Sequence, residues 1–243
     1  MRLDKYLAEA GLGSRSQVKN LLKKKQVKVN GLVESSPKRQ IQVEEDQVQV
    51  GGQTLSYDKY LYYLLNKPKG YLSARQDSRQ KTVLDLLEPI AFDKGVFPVG
   101  RLDIDTHGLL FLTNNGDLAH AMLSPKKHVN KRYRAQVEGL MDEADRARFA
   151  EGIAFKDFTS LPAQLEILDV DEEKGTSLVE VVIAEGKYHQ VKRMVAACGK
   201  KVLDLERLSM GPLVLDSQLK EGTYRRLTAE ELASLEIFQV PLK

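Results

Sequence analysis

A chain of 243 residues, 42% apolar and 29% charged, is long enough to bury one large core or two modest ones, and its balance is that of a water-soluble globular protein. No apolar run nears the ~20 residues of a membrane span, and the opening "MRLDKYLAEAG" lacks the apolar centre of a signal peptide, so the expected compartment is the cytoplasm. A single cysteine, Cys198, excludes an internal disulfide and a cysteine-built metal cage.

The net charge of +3 hides an asymmetry. Residues 1–40 carry ten Lys/Arg against three Asp/Glu, which makes this head +7 and leaves the other 203 residues at −4. A basic head on a mildly acidic body points to a polyanionic partner. In the head, Leu3, Tyr6, Leu7 and Ala10 fall at helical spacing, and Gly11 and Gly13 stop that helix. Ser14 reads as the N-cap of a second helix running to about Lys25, with Val18, Leu21 and Leu22 inward. On it Arg15, Lys19 and Lys23 recur every four residues as one basic stripe. "VKVNGLV" predicts a hairpin about Asn30-Gly31, and a last strand pair is expected around Val43 and Val48–Val50. "GGQTLSYDK" (51–59) reads as a linker.

Beyond it, "YLYYLLNKPKG" predicts a strand ending in the turn Lys67–Gly70. "LLFLTNNGDLAHAML" predicts a strand, a turn at Asn114–Gly116 and a helix capped by Asp117; "KRYRAQVEGL" continues as strand. "PAQLEILDV" and "TSLVEVVIAEG" pair across the acidic loop Asp171–Lys174, "HQVKRMVAACG" is a helix stopped at Gly199, and "TAEELASLE" opens with a capping box from Thr228 to Glu231. Short strands with few intervening helices argue an α+β fold whose sheet is mixed but largely antiparallel.

The sequence lacks GxGxxG after a strand, GxxxxGK[ST], HExxH and GxSxG. His107, His120, His128 and His189 are scattered at spacings unlike a metal site, and Cys198, beside Ala196 and Ala197, reads as core rather than nucleophile. The chemistry is therefore expected to need no metal, nucleotide or other cofactor. The carboxylates remain. In "GRLDIDTHGLLFLTNNGDLAH", Asp103 and Asp105 sit in a Gly-bounded turn at the mouth of an apolar strand. A glycosidase pair is a poor fit, since its two carboxyls usually come from separate elements and a head that seeks a polyanion has no place there.

The head, "RLDKYLAEAGLGSRSQVKNLLKKKQVKVNG", resembles an S4 RNA-binding domain. That resemblance implies docking on structured RNA, with Arg15, Lys19 and Lys23 reaching phosphates. Four later segments resemble the RsuA/RluB branch of the pseudouridine synthases: "NKPKGYLSA" (66–74), "GRLDIDTHGLLFLTNNGDLAH" (100–120), "SPKKHVNKRYRAQVEG" (124–139) and "EGKYHQVKRMVAACGKKVLDLERLSMGPL" (185–213). "LSPKKHVNKRY" and "PAQLEIL" favour the RsuA side of that branch, which implies a uridine of small-subunit (16S) rRNA. Large-subunit (23S) rRNA, as for RluB, and a non-catalytic assembly factor on a retired scaffold are the alternatives. The resemblance further implies an S4-like domain over 1–50, a linker over 51–59 and a catalytic domain over 60–243. The partner would be rRNA or a ribosomal assembly particle and not a membrane, and the protein is expected to be a monomer.

By the same resemblance Asp103 is the catalytic carboxylate, Tyr133 stacks on the target base and handles its C5 proton, and Lys192 pairs with the carboxylate. Val191 walls the ring, and Arg101 enters the space left by the flipped nucleotide. His107 receives no role; His189 and Gln190 are scaffold. Taken singly, Asp103 fits a turn cap, Tyr133 a packed strand residue and Lys192 a solvated lysine. Their joint occurrence in three matching segments behind an RNA-binding head favours the catalytic reading.

Overall fold

In the computed structural model, which describes every residue but Glu44 and Ser56, the chain divides into two units. One comprises residues 1–60 with 89–94 and 243; the other comprises 61–88 and 95–242.

The first unit opens with α1 (Leu3–Glu9) and α2 (Arg15–Lys23). Ser14 caps α2 through a capping box: its hydroxyl accepts from the Gln17 amide, and the Gln17 side chain accepts from the Ser14 amide at 2.7 Å. The helix ends two residues before the expected Lys25, which has turned into the left-handed region at φ 53°. Four short strands follow: β1 (Val27–Val29), β2 (Leu32–Val33), β3 (Val48–Val50) and β4 (Gln53–Thr54), antiparallel in the order β2-β1-β3-β4. Asn30 and Gly31 both take positive φ, as a two-residue turn between right-twisted strands demands. Two expectations change here. Val43 lies in a turn, and β3 pairs instead with β1 and β4. The segment expected as linker, 51–59, begins as the hairpin Gly51-Gly52 and its closing strand β4. Leu3, Tyr6, Leu7, Val18 and Leu22 meet Val27, Val29, Ile41 and Val48 in the core of this unit. Arg15, Lys19 and Lys23 all stand exposed on α2. The short helix α3 (Pro89–Asp93) also belongs to this unit.

The second unit is built on one sheet of nine strands. They are β5 (Tyr62–Lys67), β6 (Phe97–Pro98), β7 (His107–Thr113), β8 (Lys131–Glu138), β9 (Gln164–Asp171), β10 (Thr176–Ile183), β11 (Lys201–Met210), β12 (Leu213–Val214) and β13 (Tyr224–Arg226). The main path is β13-β5-β7-β11-β8-β10-β9, with β6 on β7 and β12 on β11. Among the pairings of these nine strands the β7–β11 contact alone is parallel, so the expected largely antiparallel α+β architecture is what the chain adopts. At that junction Gly108 faces Arg207 so closely that a Cβ there would lie 2.5 Å from the Arg207 carbonyl oxygen; only glycine fits.

The helices of this unit are α4 (Gly116–Leu123), α5 (Glu143–Glu151), α6 (Gln190–Ala197) and α7 (Ala229–Ser234). The cap of α4 is Asn115, whose side chain accepts from the Leu118 amide, and not Asp117, which lies inside the first turn. Helix α7 carries the expected Thr228–Glu231 capping box. On α6 the inward positions are Val191, Met194 and Val195, at the i, i+3, i+4 spacing of a buried stripe. Each contributes ~1.5–3 kcal/mol by burial. Cys198 is not in that core: it is the half-buried C-cap beside Asp145, and burial pushes its thiol up to about 11.

Candidate active site

The floor of the site follows from strand register. Lys67 on β5 stands opposite Gly108 on β7, Gly108 opposite Arg207 on β11, Arg207 opposite Tyr133 on β8, and Tyr133 opposite Val181 on β10. Residues on one rung share a face of a sheet. This rung therefore sets a lysine, a gap, an arginine and a tyrosine side by side, all buried.

Above the Lys67 end of the rung runs the turn that carries the carboxylates. The fully buried Lys67 ammonium donates to the carbonyls of Pro68 (3.0 Å), Asp103 (3.1 Å) and Thr106 (2.8 Å). The Gly70 amide donates to the Ile104 carbonyl at 2.7 Å, and the Ser73 hydroxyl is bonded to both backbone groups of Leu102. The Lys67–Gly70 turn is thus a clamp on the Asp103 turn. Burial drives the Lys67 ammonium down from 10.5 to about 8. Between those two values the unfolded chain binds the extra proton, so stability gained through this lysine rises as pH climbs from about 8 towards 10.5. Lys67→Met is expected to cost ~1–3 kcal/mol for each carbonyl left unpaired. In urea unfolding the variant should also show a smaller alkaline gain than the wild type.

On the facing side α6 is entered from its N-cap His189, which takes the left-handed conformation at φ 51°. Gln190, buried, fixes this entrance by accepting from the Lys187 amide and donating to Glu185 at 2.8 Å. Lys192 then reaches across to both carboxylates: its Nζ lies 3.2 Å from Asp103 Oδ2 and 2.6 Å from Asp105 Oδ1. The Lys192 bond holds the Asp105 carboxyl below its ordinary range against burial. Burial alone would lower Lys192, but its bonds to Asp105 and Asp103 outweigh that and raise it. His189 Nε2 stands 3.5 Å from Asp103 Oδ1, so this histidine faces the carboxylate.

All five predicted substrate-handling residues, Arg101, Asp103, Tyr133, Val191 and Lys192, line one cleft of about 350 Å³, within the range of small-ligand sites. Val191 and Tyr133 are 4% and 8% exposed, Asp103 is half-buried, and Arg101 is exposed at the rim. His107 is not part of the lining; its Nε2 pairs with Asp204 at 3.0 Å, and Lys69 pairs with the same carboxylate. Sequence reading missed Lys67, Lys131 and Arg207. Strand parity carried the signal for two of them: if Tyr133 and Leu205 point inward, so do Lys131 and Arg207. Among the described residues no three His, Cys, Asp or Glu side chains gather as metal ligands, and no helix is long and apolar enough to cross a membrane.

Comparison with known proteins gives this arrangement its context. A family model described as RNA pseudouridylate synthase matches residues 61–197, and one described as S4 domain matches residues 1–54. An uncharacterized RNA pseudouridine synthase of Bacillus subtilis, YtzG, is 44% identical over 96% of this chain and 97% of its own. The ribosomal small subunit pseudouridine synthase A of Yersinia pestis is 38% identical over 97% and 98% of the two chains. The ribosomal large subunit pseudouridine synthase B of Bacillus subtilis is 37% identical over 96% and 95%. A crystal structure of a pseudouridylate synthase aligns over 97% of this chain and 99% of that one, at a TM-score of 0.67 and 38% identity.

Proposed function

The chain belongs to the RNA pseudouridylate synthase family and carries an S4 domain; from that premise we propose that it isomerises one uridine of small-subunit (16S) rRNA to pseudouridine. It does so as a cytoplasmic monomer acting on rRNA or a ribosomal assembly particle. The observation that carries the assignment of roles is the Lys192 ammonium at 3.2 Å from the Asp103 carboxylate, in a cleft with Tyr133 on its floor. The Yersinia relative and the segments "LSPKKHVNKRY" and "PAQLEIL" support the 16S target. The Bacillus large-subunit relative, at nearly the same identity, makes 23S rRNA the second reading.

Pseudouridine formation cuts the C1′–N1 bond, turns the uracil and rejoins it through C5. The product has the same atoms as the substrate, and the reaction is an isomerisation. The target uridine must first leave its stack, which costs a few kcal/mol. Stacking on Tyr133, at ~1–3 kcal/mol per base, offsets part of this, and Val191 walls the ring. Arg101, exposed at the rim, occupies the space the nucleotide leaves. Asp103 acts as an anion near the glycosidic bond, with the Lys192 ammonium bonded to it at 3.2 Å. Tyr133 manages the C5 proton once C5 has bonded to C1′.

The S4 unit supplies affinity through Arg15, Lys19 and Lys23. Replacing all three by Ala is expected to weaken binding and to flatten the log K against log salt slope by ~0.7–0.9 for each phosphate that is no longer neutralised. An unchanged slope in a fluorescence titration would show that the stripe does not touch RNA. The target is tested by mapping pseudouridines in both rRNAs of a deletion strain. A single site missing from 16S rRNA is expected; a site missing from 23S rRNA instead would select the second reading.

A further inference from the structure

Arg207 is 1% exposed and lines the floor of the cleft, yet it has little to do there. Its Nε donates to the Leu109 carbonyl at 2.8 Å, while Nη2 is buried with no partner. Lys131, 8% exposed and lining the same cleft, donates to the Val129 carbonyl at 2.8 Å. The acceptor each of them bonds is a neutral backbone carbonyl. Burying an unpaired guanidinium nitrogen is costly, and such groups in folded proteins call for a missing acceptor. Burial, and then the nearby Arg207 charge, push the Lys131 ammonium down to about 8 against the opposing pull of Glu185.

Their position relative to Tyr133 is specific. Lys131 is two residues before it on the same strand, and Arg207 is its partner across the ladder. The other two neighbours of Tyr133 on that face are Ala135 and Val181. A base laid on Tyr133 therefore meets two apolar groups and two cations, one of them with an unpartnered buried nitrogen. Lys192 is already committed to Asp103 and Asp105 and lies on the other wall.

We propose that Arg207 and Lys131 bind the ring oxygens of the extruded uracil and take up the negative charge the ring acquires when its glycosidic bond breaks. This rests on the reading of Asp103 as the group acting on a uridine. When C1′–N1 breaks, the electron pair leaves with the ring and spreads over O2 and O4. The sugar is compensated by the Asp103 carboxylate, which either bonds C1′ or removes the 2′ proton. C5 then bonds to C1′ as the carboxylate leaves it or, in the other route, returns the proton to C2′; the proton on C5 is lost and N1 takes one up, so the sequence balances without a co-reactant. In each route the ring oxygens are where charge develops, and fixed donors aimed at that point lower the barrier.

The test compares leaving groups. Single-turnover consumption is measured for wild type, Arg207→Gln and Lys131→Met on matched RNAs carrying uridine or 5-fluorouridine at the target, the fluorine making the departing ring a weaker base. Each variant is expected to lose about 10²–10³-fold on uridine, the scale of removing one donor to a developing anion. The loss should shrink to about tenfold or less on 5-fluorouridine. Equal losses on the two rings would overturn the proposal and leave both residues as structural supports. If Arg207→Gln unfolds in a thermal melt, Lys131→Met decides alone by the same ratio. Wild-type protein that consumes neither RNA would refute the uridine reading itself, which separates that failure from this one.

Discussion

Asp103→Asn is expected to abolish pseudouridine formation while leaving folding and RNA binding nearly unchanged. The side chain does not hold its own turn: that is done by Lys67, Gly70 and Ser73 through backbone groups of residues 102–106. The exchange also keeps an oxygen for Lys192, which retains Asp105 in any case. A partly exposed ion pair of this kind contributes only ~0.2–1 kcal/mol, so the melting temperature should move little. The chemistry should fall by about 10⁴-fold or more, as when a member of a catalytic unit is removed. Tritium release from RNA labelled at uridine C5, with a thermal melt and a binding titration, separates these outcomes. More than trace release by the variant would remove Asp103 from its role.

Lys192→Met is expected to lower the chemical step by about 10²–10³-fold, the scale of removing one charged donor from a reacting centre. The loss follows from what the substitution removes: the ammonium that bonds Asp103 at 3.2 Å and Asp105 at 2.6 Å and so fixes the carboxylate facing the cleft. Lys192→Arg, which keeps the charge, should restore most of the rate in a single-turnover assay. A rate unchanged in Lys192→Met would show that the contact at 3.2 Å plays no part in the chemistry.

Much of this was legible in the sequence, and the misses share physical causes. Capping chemistry was readable at Ser14 and Thr228, where the acceptor and the residue three positions on are both present. At the start of α4 the expectation fell on Asp117, but the cap is Asn115, the residue with extended backbone, and Asp117 lies inside the first turn. Helix α5 was overlooked because "EADRARFAE" is mostly charged and buries few side chains, so it has scant apolar period to detect. Strand β11 was hidden for the opposite reason. "KVLDLERLSM" is the central strand of the sheet, yet it carries Asp204, Glu206 and Arg207 and is broken by two register shifts. Alternation fails as a signal where a strand lines a polar cleft rather than a dry core. The same exception concealed Lys67 and Lys131, since a lysine in a strand is normally solvated.

Asp103, Tyr133 and Lys192 were found because their segments match a family. The sequence alone did not place them together, and the parallel contact of β7 with β11 is what brings the segments to one cleft.

The most direct test of the central claim is a structure of the protein on a short rRNA hairpin carrying 5-fluorouridine at the target. The flipped ring is expected to lie on Tyr133 against Val191, with C1′ about 3–3.5 Å from an Asp103 oxygen and Lys192 still bonded to the carboxylate. A uridine left stacked in the RNA, or seated away from Asp103 on another surface, would contradict the account.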